Sequence, residues 1–174
     1  AEVPGYYGNI MVTIDVSDPK NPKEVSKFWL KGQWSAGGER PWWPSDLTHR
    51  CQHHHPIIVD DRAYTSWFGL GGAIVDISNI LRPTLISHFN YDMGGQGHTF
   101  LPIKEKQFAV FVSEYRHTYM LDISDEKYPK VIGMFPKPPA ELLERGVGVP
   151  WGPSIHNIHE NMPGPDSYRT DDVI

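Results

Sequence analysis

Residues 52–89, QHHHPIIVDDRAYTSWFGLGGAIVDISNILRPTLISHF, decide the fold, because the stretch recurs in whole or in part on both sides of itself. Its signature is an apolar residue, Asp, Ile or Val, then Ser, with Pro seven residues after the Asp and Phe six after the Pro. Asp15, Pro22 and Phe28 obey it, as do Asp76, Pro83 and Phe89, and again Asp122, Pro129 and Phe135. Self-similarity of this kind marks a repeat architecture.

Each copy reads as short β-runs punctuated by turn residues. In the second copy the runs 55–59, 63–68, 72–77 and 84–90 are β-rich and are separated by Asp60-Asp61-Arg62, by Gly69-Leu70-Gly71 and by a turn containing Pro83. The third copy repeats that order with 98–103, 108–113, 117–123 and 131–135. The first copy shows only two runs, 10–16 and 23–30, joined through Asp18-Pro19 and Asn21-Pro22. Asp15, Asp76 and Asp122 read as structural, accepting backbone N–H groups in Asx turns.

Two stretches break the pattern. Residues 31–51 hold Gly37-Gly38, Pro41, Trp42-Trp43 and Pro44, and lengthen the spacing from Asp15 to Asp76 to 61 residues against 46 from Asp76 to Asp122. Residues 136–153 form a second insert, in which 140–145 (AELLER) predicts a helical turn or two. Beyond it, 154–159 resembles the start of another copy and 172–174 a following strand. The 174 residues read as one domain.

Four antiparallel strands per unit at this period are the mark of a β-propeller blade: one such sheet has two apolar faces, and stacking blades around an axis buries both. The chain therefore reads as an all-β, partial propeller with two complete blades and two half-blades. The segments GGAIVDIS and YMLDISDEKYPKVIG resemble the LVIVD repeat family, bacterial propeller proteins, and the resemblance covers most of the chain outside the inserts. It implies a fold and says little about chemistry. Two arrangements complete the ring: the termini pair and several chains form a homo-oligomer, or the chain is a piece of a longer one. The stop at Ile174, inside a strand, favours the second.

Composition narrows the partners. Sixteen Lys and Arg against 21 Asp and Glu give a formal charge of −5 with no run of like sign, which argues against nucleic acid or an acidic membrane surface. No apolar stretch approaches the about 18 residues a membrane-spanning helix requires. The single cysteine, Cys51, leaves no intrachain disulfide and reads as an inert packed residue rather than a nucleophile or soft ligand. The compartment is not legible. Gly94-Gly95-Gln96-Gly97 lacks the Lys-Ser/Thr ending and the helix of a phosphate loop, so no nucleotide is expected.

Blade topology sorts the remaining chemistry onto one face. Histidines open three successive innermost strands: His53-His54-His55, then His98, then His156 with His159. On an extended chain neighbouring side chains alternate, so at most two of the three can face the axis, and His54 is the preferred member of the run. Imidazole suits zinc, copper or iron, and three His with an open position is a known catalytic arrangement, so the candidate metal ligands are His54, His98, His156 and His159. Against this stands the structural alternative, a repeated His that sets blade register. His156-Asn157-Ile158-His159-Glu160 is one residue short of the helical zinc-protease spacing, and Pro153 and Pro163 forbid a long helix there. Glu114 and Glu160 are the candidate acid–base carboxylates. Trp43, Trp67 and Trp151 would wall a small-molecule site, with Arg116 and His117 orienting a polar substrate. The expected function is a metal-binding propeller holding a small molecule, with metal-dependent oxidoreductase, hydrolase or lyase chemistry as an extension. The alternative is a non-catalytic protein–protein scaffold gripping through the Trp-rich inserts.

Overall fold

The third strand of each unit ends on its repeat Asp. The computed structural model describes residues 2–103, 105, 107–114, 116–135 and 158. The first unit holds β1 (Met11–Asp15) and β2 (Lys23–Phe28). The second holds β3 (Gln52–His53), β4 (Ile57–Val59), β5 (Arg62–Phe68), β6 (Gly71–Asp76) and β7 (Thr84–Phe89). The third holds β8 (Gln96–Ile103), β9 (Phe108–Glu114), β10 (Thr118–Asp122) and β11 (Lys130–Met134). After the third strand of each unit the Asp carboxylate accepts the Ser N–H two residues on: Asp15 from Ser17 at 2.8 Å, Asp76 from Ser78 at 2.8 Å, Asp122 from Ser124 at 2.9 Å. Bonds from the same Ser, first through its N–H at Asp15 and first through its side chain at Asp76 and Asp122, hold all three carboxyls below the ordinary aspartate range. Three residues further, Asp18, Asn79 and Asp125 cap the N–H groups of Lys20, Leu81 and Lys127 at 3.1, 3.1 and 3.0 Å. Each unit also carries a register shift just before its Asp, at Thr13/Ile14, Ile74/Val75 and Met120/Leu121. The same turn chemistry thus makes the same bulged hairpin three times.

The pairing is that of an all-β, propeller-like fold. β4-β5-β6-β7 and β8-β9-β10-β11 run antiparallel as two four-stranded blades, and β1-β2 form a two-stranded sheet. A bridge at Phe68–Gln96 links the two blades at one end of β5. The opening strand of the second unit, expected over 55–59, begins earlier and is divided into β3 and β4. Pro56 lies in the break, and it lacks the N–H a ladder needs.

Strand parity distributes side chains into three layers. Ala63, Trp67, Ala73 and Val75 face the first unit and pack with Met11 and Phe28, while Tyr64, Ile74 and Phe89 face the third and pack with Phe100, Phe111, Tyr119 and Leu121. On the far side of the third blade, Leu101, Ile103, Val110 and Val112 pack with Met120 and Ile158. Each large apolar side chain so buried contributes about 1.5–3 kcal/mol. Polar clamps cross the layers. Ser26 donates to the Ile80 carbonyl at 2.7 Å, and Arg62 and Tyr64 both bond Glu126 at 2.8 Å.

The insert 31–51, expected as a loop, is an ordered flap whose end forms a 3-10 turn, Ser45–Arg50. Fully buried Gln33 accepts from Leu30 N and donates to the carbonyls of Tyr7, Asn9 and Cys51, tying the flap to the N-terminal lead-in. Cys51 donates to the Leu47 carbonyl at 3.2 Å, and burial pushes its thiol up to about 12, which removes it as a nucleophile. Among the described residues no helix is long and apolar enough to cross a membrane. The helical turn expected at 140–145 lies outside them.

Candidate functional site

The Asp turns sit at the end of β5 where Arg62 pairs with Asp76, and the histidines at the opposite end, where Phe68 pairs with both Gln52 and Gln96. The alternation of the extended chain is visible in the His run. His53 turns toward the first layer: its ring packs on Trp67 at 4.8 Å and its Nε2 bonds Thr65 Oγ1 at 2.7 Å. His54 turns the other way. It stacks on Phe68 at 5.2 Å and meets His98 of the next unit with ring centroids 3.9 Å apart. Exposed His55 adds a third ring, 4.5 Å from His54 and 5.9 Å from His98.

His98 itself is held firmly. It is 4% exposed, its Nδ1 bonds Thr99 Oγ1 at 3.0 Å, and its carbonyl accepts from Ser66 Oγ at 2.6 Å. Burial, reinforced by His54 and His55, pushes His53 down to about 3, so it is neutral at ordinary pH. Three imidazoles thus lie within stacking distance of one another, yet among the described residues no group of three His, Cys, Asp or Glu side chains is disposed to hold one metal ion.

Beside this cluster runs a polar chain. Glu114, 7% exposed, lies across the ladder from Gln96. The Gln96 amide is satisfied when its Nε2 donates to Glu114 Oε2 at 3.0 Å and its Oε1 accepts from Arg50 Nη2 at 3.1 Å. A second group lies one loop away: His117 Nδ1 is 3.4 Å from both Asp92 Oδ2 and the Tyr119 hydroxyl. Burial first, then the Asp92 hydrogen bond, raises the Tyr119 phenol. Arg116 is exposed, with its stem against Gly95 and its N–H bonded to the Ser113 carbonyl at 3.1 Å.

The structure therefore brings together His54 and His98, sets Glu114 close by, and places Arg116 and His117 on the adjoining loop. Trp43 and Trp67, expected as walls of a pocket, are 4% and 0% exposed and belong to the layer between the first two units. Trp34 and Trp42 are the exposed indoles of the first insert, at 40% and 47%. Trp151, His156, His159 and Glu160 lie outside the described residues. Sequence reasoning missed Phe68, Gln96, Arg50 and Asp92. Strand parity from Tyr64 through Ser66 would have found Phe68, and the ladder opposite Glu114 would have found Gln96. Nothing local marks Arg50 or Asp92.

A family model of the LVIVD repeat matches residues 6–29 and 63–91, which take in β1–β2 and β5–β7. The third unit lies outside the matched residues and is joined to the pattern by its identical turn, bulge and pairing. No curated protein matches the chain.

Proposed function

The chain carries LVIVD repeats on a propeller scaffold, and from that premise we propose that its histidine-bearing mouth is a ligand site in which His54 and His98 share one transition-metal ion beside a small polar molecule. The observation that carries this reading is the 3.9 Å approach of the two rings, which come from neighbouring units and open neighbouring inner strands. Imidazole is a ligand for zinc, copper and iron alike. Two imidazoles leave coordination positions for water, a substrate atom or a further histidine, for which the repeat pattern offers His156 or His159. Phe68 supplies the apolar wall, Arg116 and His117 a polar rim, and Glu114 a carboxylate placed to hold or move a proton.

Elemental analysis of untagged protein purified without added metal, followed by zinc and copper titration calorimetry, tests the proposal. One ion per chain is expected, with affinity at least about tenfold weaker in His54→Ala, a loss of about 1.4 kcal/mol, and an unchanged thermal melt. Wild-type protein that takes up neither ion would overturn the metal reading.

Exposed Trp34 and Trp42 favour a second reading, a scaffold that grips another protein through the first insert, since Trp is enriched at interfaces. Under it, a Trp34→Ala, Trp42→Ala variant loses a partner while the mouth variants keep it.

A further inference from the structure

His117 is fixed by two separate segments of chain. It closes the turn at 113–117 that joins β9 to β10, where Ser113 N donates to the His117 carbonyl at 2.9 Å and Arg116 N donates to the Ser113 carbonyl at 3.1 Å. Beside it lies the turn at 92–95 between β7 and β8. There Gly95 N donates to the Asp92 carbonyl at 2.8 Å, and Gly94 takes a φ of 83°, which suits glycine. The two turns clasp over Gly95. A Cβ at that position would collide with Ser113 Oγ, the Asp92 carbonyl and the stem of Arg116, so the turns are set closely against each other.

That arrangement brings a carboxylate to the histidine ring. His117 Nδ1 is 3.4 Å from Asp92 Oδ2 and 3.4 Å from the Tyr119 hydroxyl. The hydroxyl donates to the Asp92 carboxylate, and burial first, then this bond, keeps the phenol protonated. Both groups that face Nδ1 therefore have lone pairs to offer it, so Nδ1 carries the ring hydrogen and the ring's own lone pair sits on Nε2. Among the described residues Nε2 meets no hydrogen-bond partner. A carboxylate on Nδ1–H fixes the tautomer and stabilises the imidazolium that forms when Nε2 takes a proton. Tyr119 is 6% exposed, with its ring 5.6 Å from that of Tyr91, which anchors the group. Arg116 is exposed, and among the described residues its guanidinium meets no carboxylate. Its planar fork of donors matches a carboxylate group.

We propose that His117 is the proton acceptor of the mouth, with Asp92 and Tyr119 as its positioning residues, and that its ligand is a small carboxylate bearing an acidic O–H group, held by Arg116. In the step, the ligand O–H bond breaks and the proton passes to His117 Nε2. The bonding pair stays on the ligand oxygen as an oxyanion, and the imidazolium so formed faces the charge of Asp92. The inference rests on the reading of this end as a ligand mouth and uses no metal ion. Glu114, 7% exposed and engaged by Gln96, is the less accessible base, whereas the His117 side chain is 33% exposed.

The probe is meta-nitro-para-hydroxybenzoate, whose phenolate absorbs visible light far more strongly than its phenol, added to metal-free protein in a chelating buffer. At the midpoint of the free probe's own titration, saturating wild-type protein is expected to raise the phenolate band. His117→Gln abolishes the rise while calorimetry still records binding, and Asp92→Asn reduces the rise at saturation. Arg116→Ala weakens affinity at least about tenfold and keeps the rise per bound probe. Circular dichroism stays unchanged in all three. A wild type that does not bind the probe, or binds it without the rise, would overturn the proposal. So would a rise that survives His117→Gln, or a His117→Gln protein that no longer binds. Metal uptake plays no part in this optical measurement, so the metal reading and this one fail separately.

Discussion

The two ends of β5 differ more than any two regions of the molecule. At the Arg62 end the chain repeats itself: three Asp carboxylates cap three Ser N–H groups within 0.1 Å of one another, at 2.8, 2.8 and 2.9 Å. At the Phe68 end the described contacts differ from unit to unit. His53 enters a core layer, His54 stacks on His98, and Gln96 bridges Glu114 and Arg50. The turn end is built from bonds two residues apart, which each copy makes for itself. The mouth end is built from contacts between residues distant in sequence, among them His54 with His98 and Arg50 with Gln96, which the turn chemistry does not fix. A rigid, self-sufficient scaffold at one end leaves the other free to vary.

Breaking the shared core should cost both ends together. Trp67→Ala empties a fully buried indole site between the first two units and also removes the surface on which His53 rests. A loss of about 3–5 kcal/mol is expected in chemical denaturation. Acid should separate the ends. His53 is held neutral in the fold down to about 3, while the unfolded chain protonates near the ordinary histidine value of 6.5. Stability is therefore full above about 6.5 and falls as the pH drops toward 3, by at most about 1.4 kcal/mol per pH unit. His53→Gln should flatten that slope, read from denaturation midpoints across the window, and a slope unchanged by the substitution would remove His53 as its cause.

A smaller effect is expected at the turn end. Tyr64→Phe deletes the hydroxyl that donates to Glu126 at 2.8 Å while leaving the ring in its layer, and should cost about 1 kcal/mol with the mouth untouched. The smallest effect belongs to the exposed Asx turns. Asp15→Ala, Asp76→Ala and Asp122→Ala should each lower the melting midpoint slightly through the shared Ser N–H bond, Asp76→Ala and Asp122→Ala somewhat more, because Asp76 also pairs with Arg62 at 3.4 Å and Asp122 also accepts from Ser124 Oγ at 2.6 Å. Equal losses at all three positions would show that the Arg62 and Ser124 side-chain contacts add nothing to the shared bond.

The sequence by itself determined the repeat, the order of strands within it, the Asx turns, the bland fate of Cys51 and the crowding of histidines at one end. All of these follow from spacings within a copy: alternation with period two and turn residues at fixed offsets act over a few residues, and the chain writes them out each time. Tertiary structure alone decided which histidine of the run faces which layer and that Trp43 and Trp67 serve the core. It alone drew Arg50 and Asp92 into the mouth. Those outcomes depend on how one unit stacks against the next. Arg50 reaches Gln96 across 46 residues of chain, through a contact no local pattern encodes.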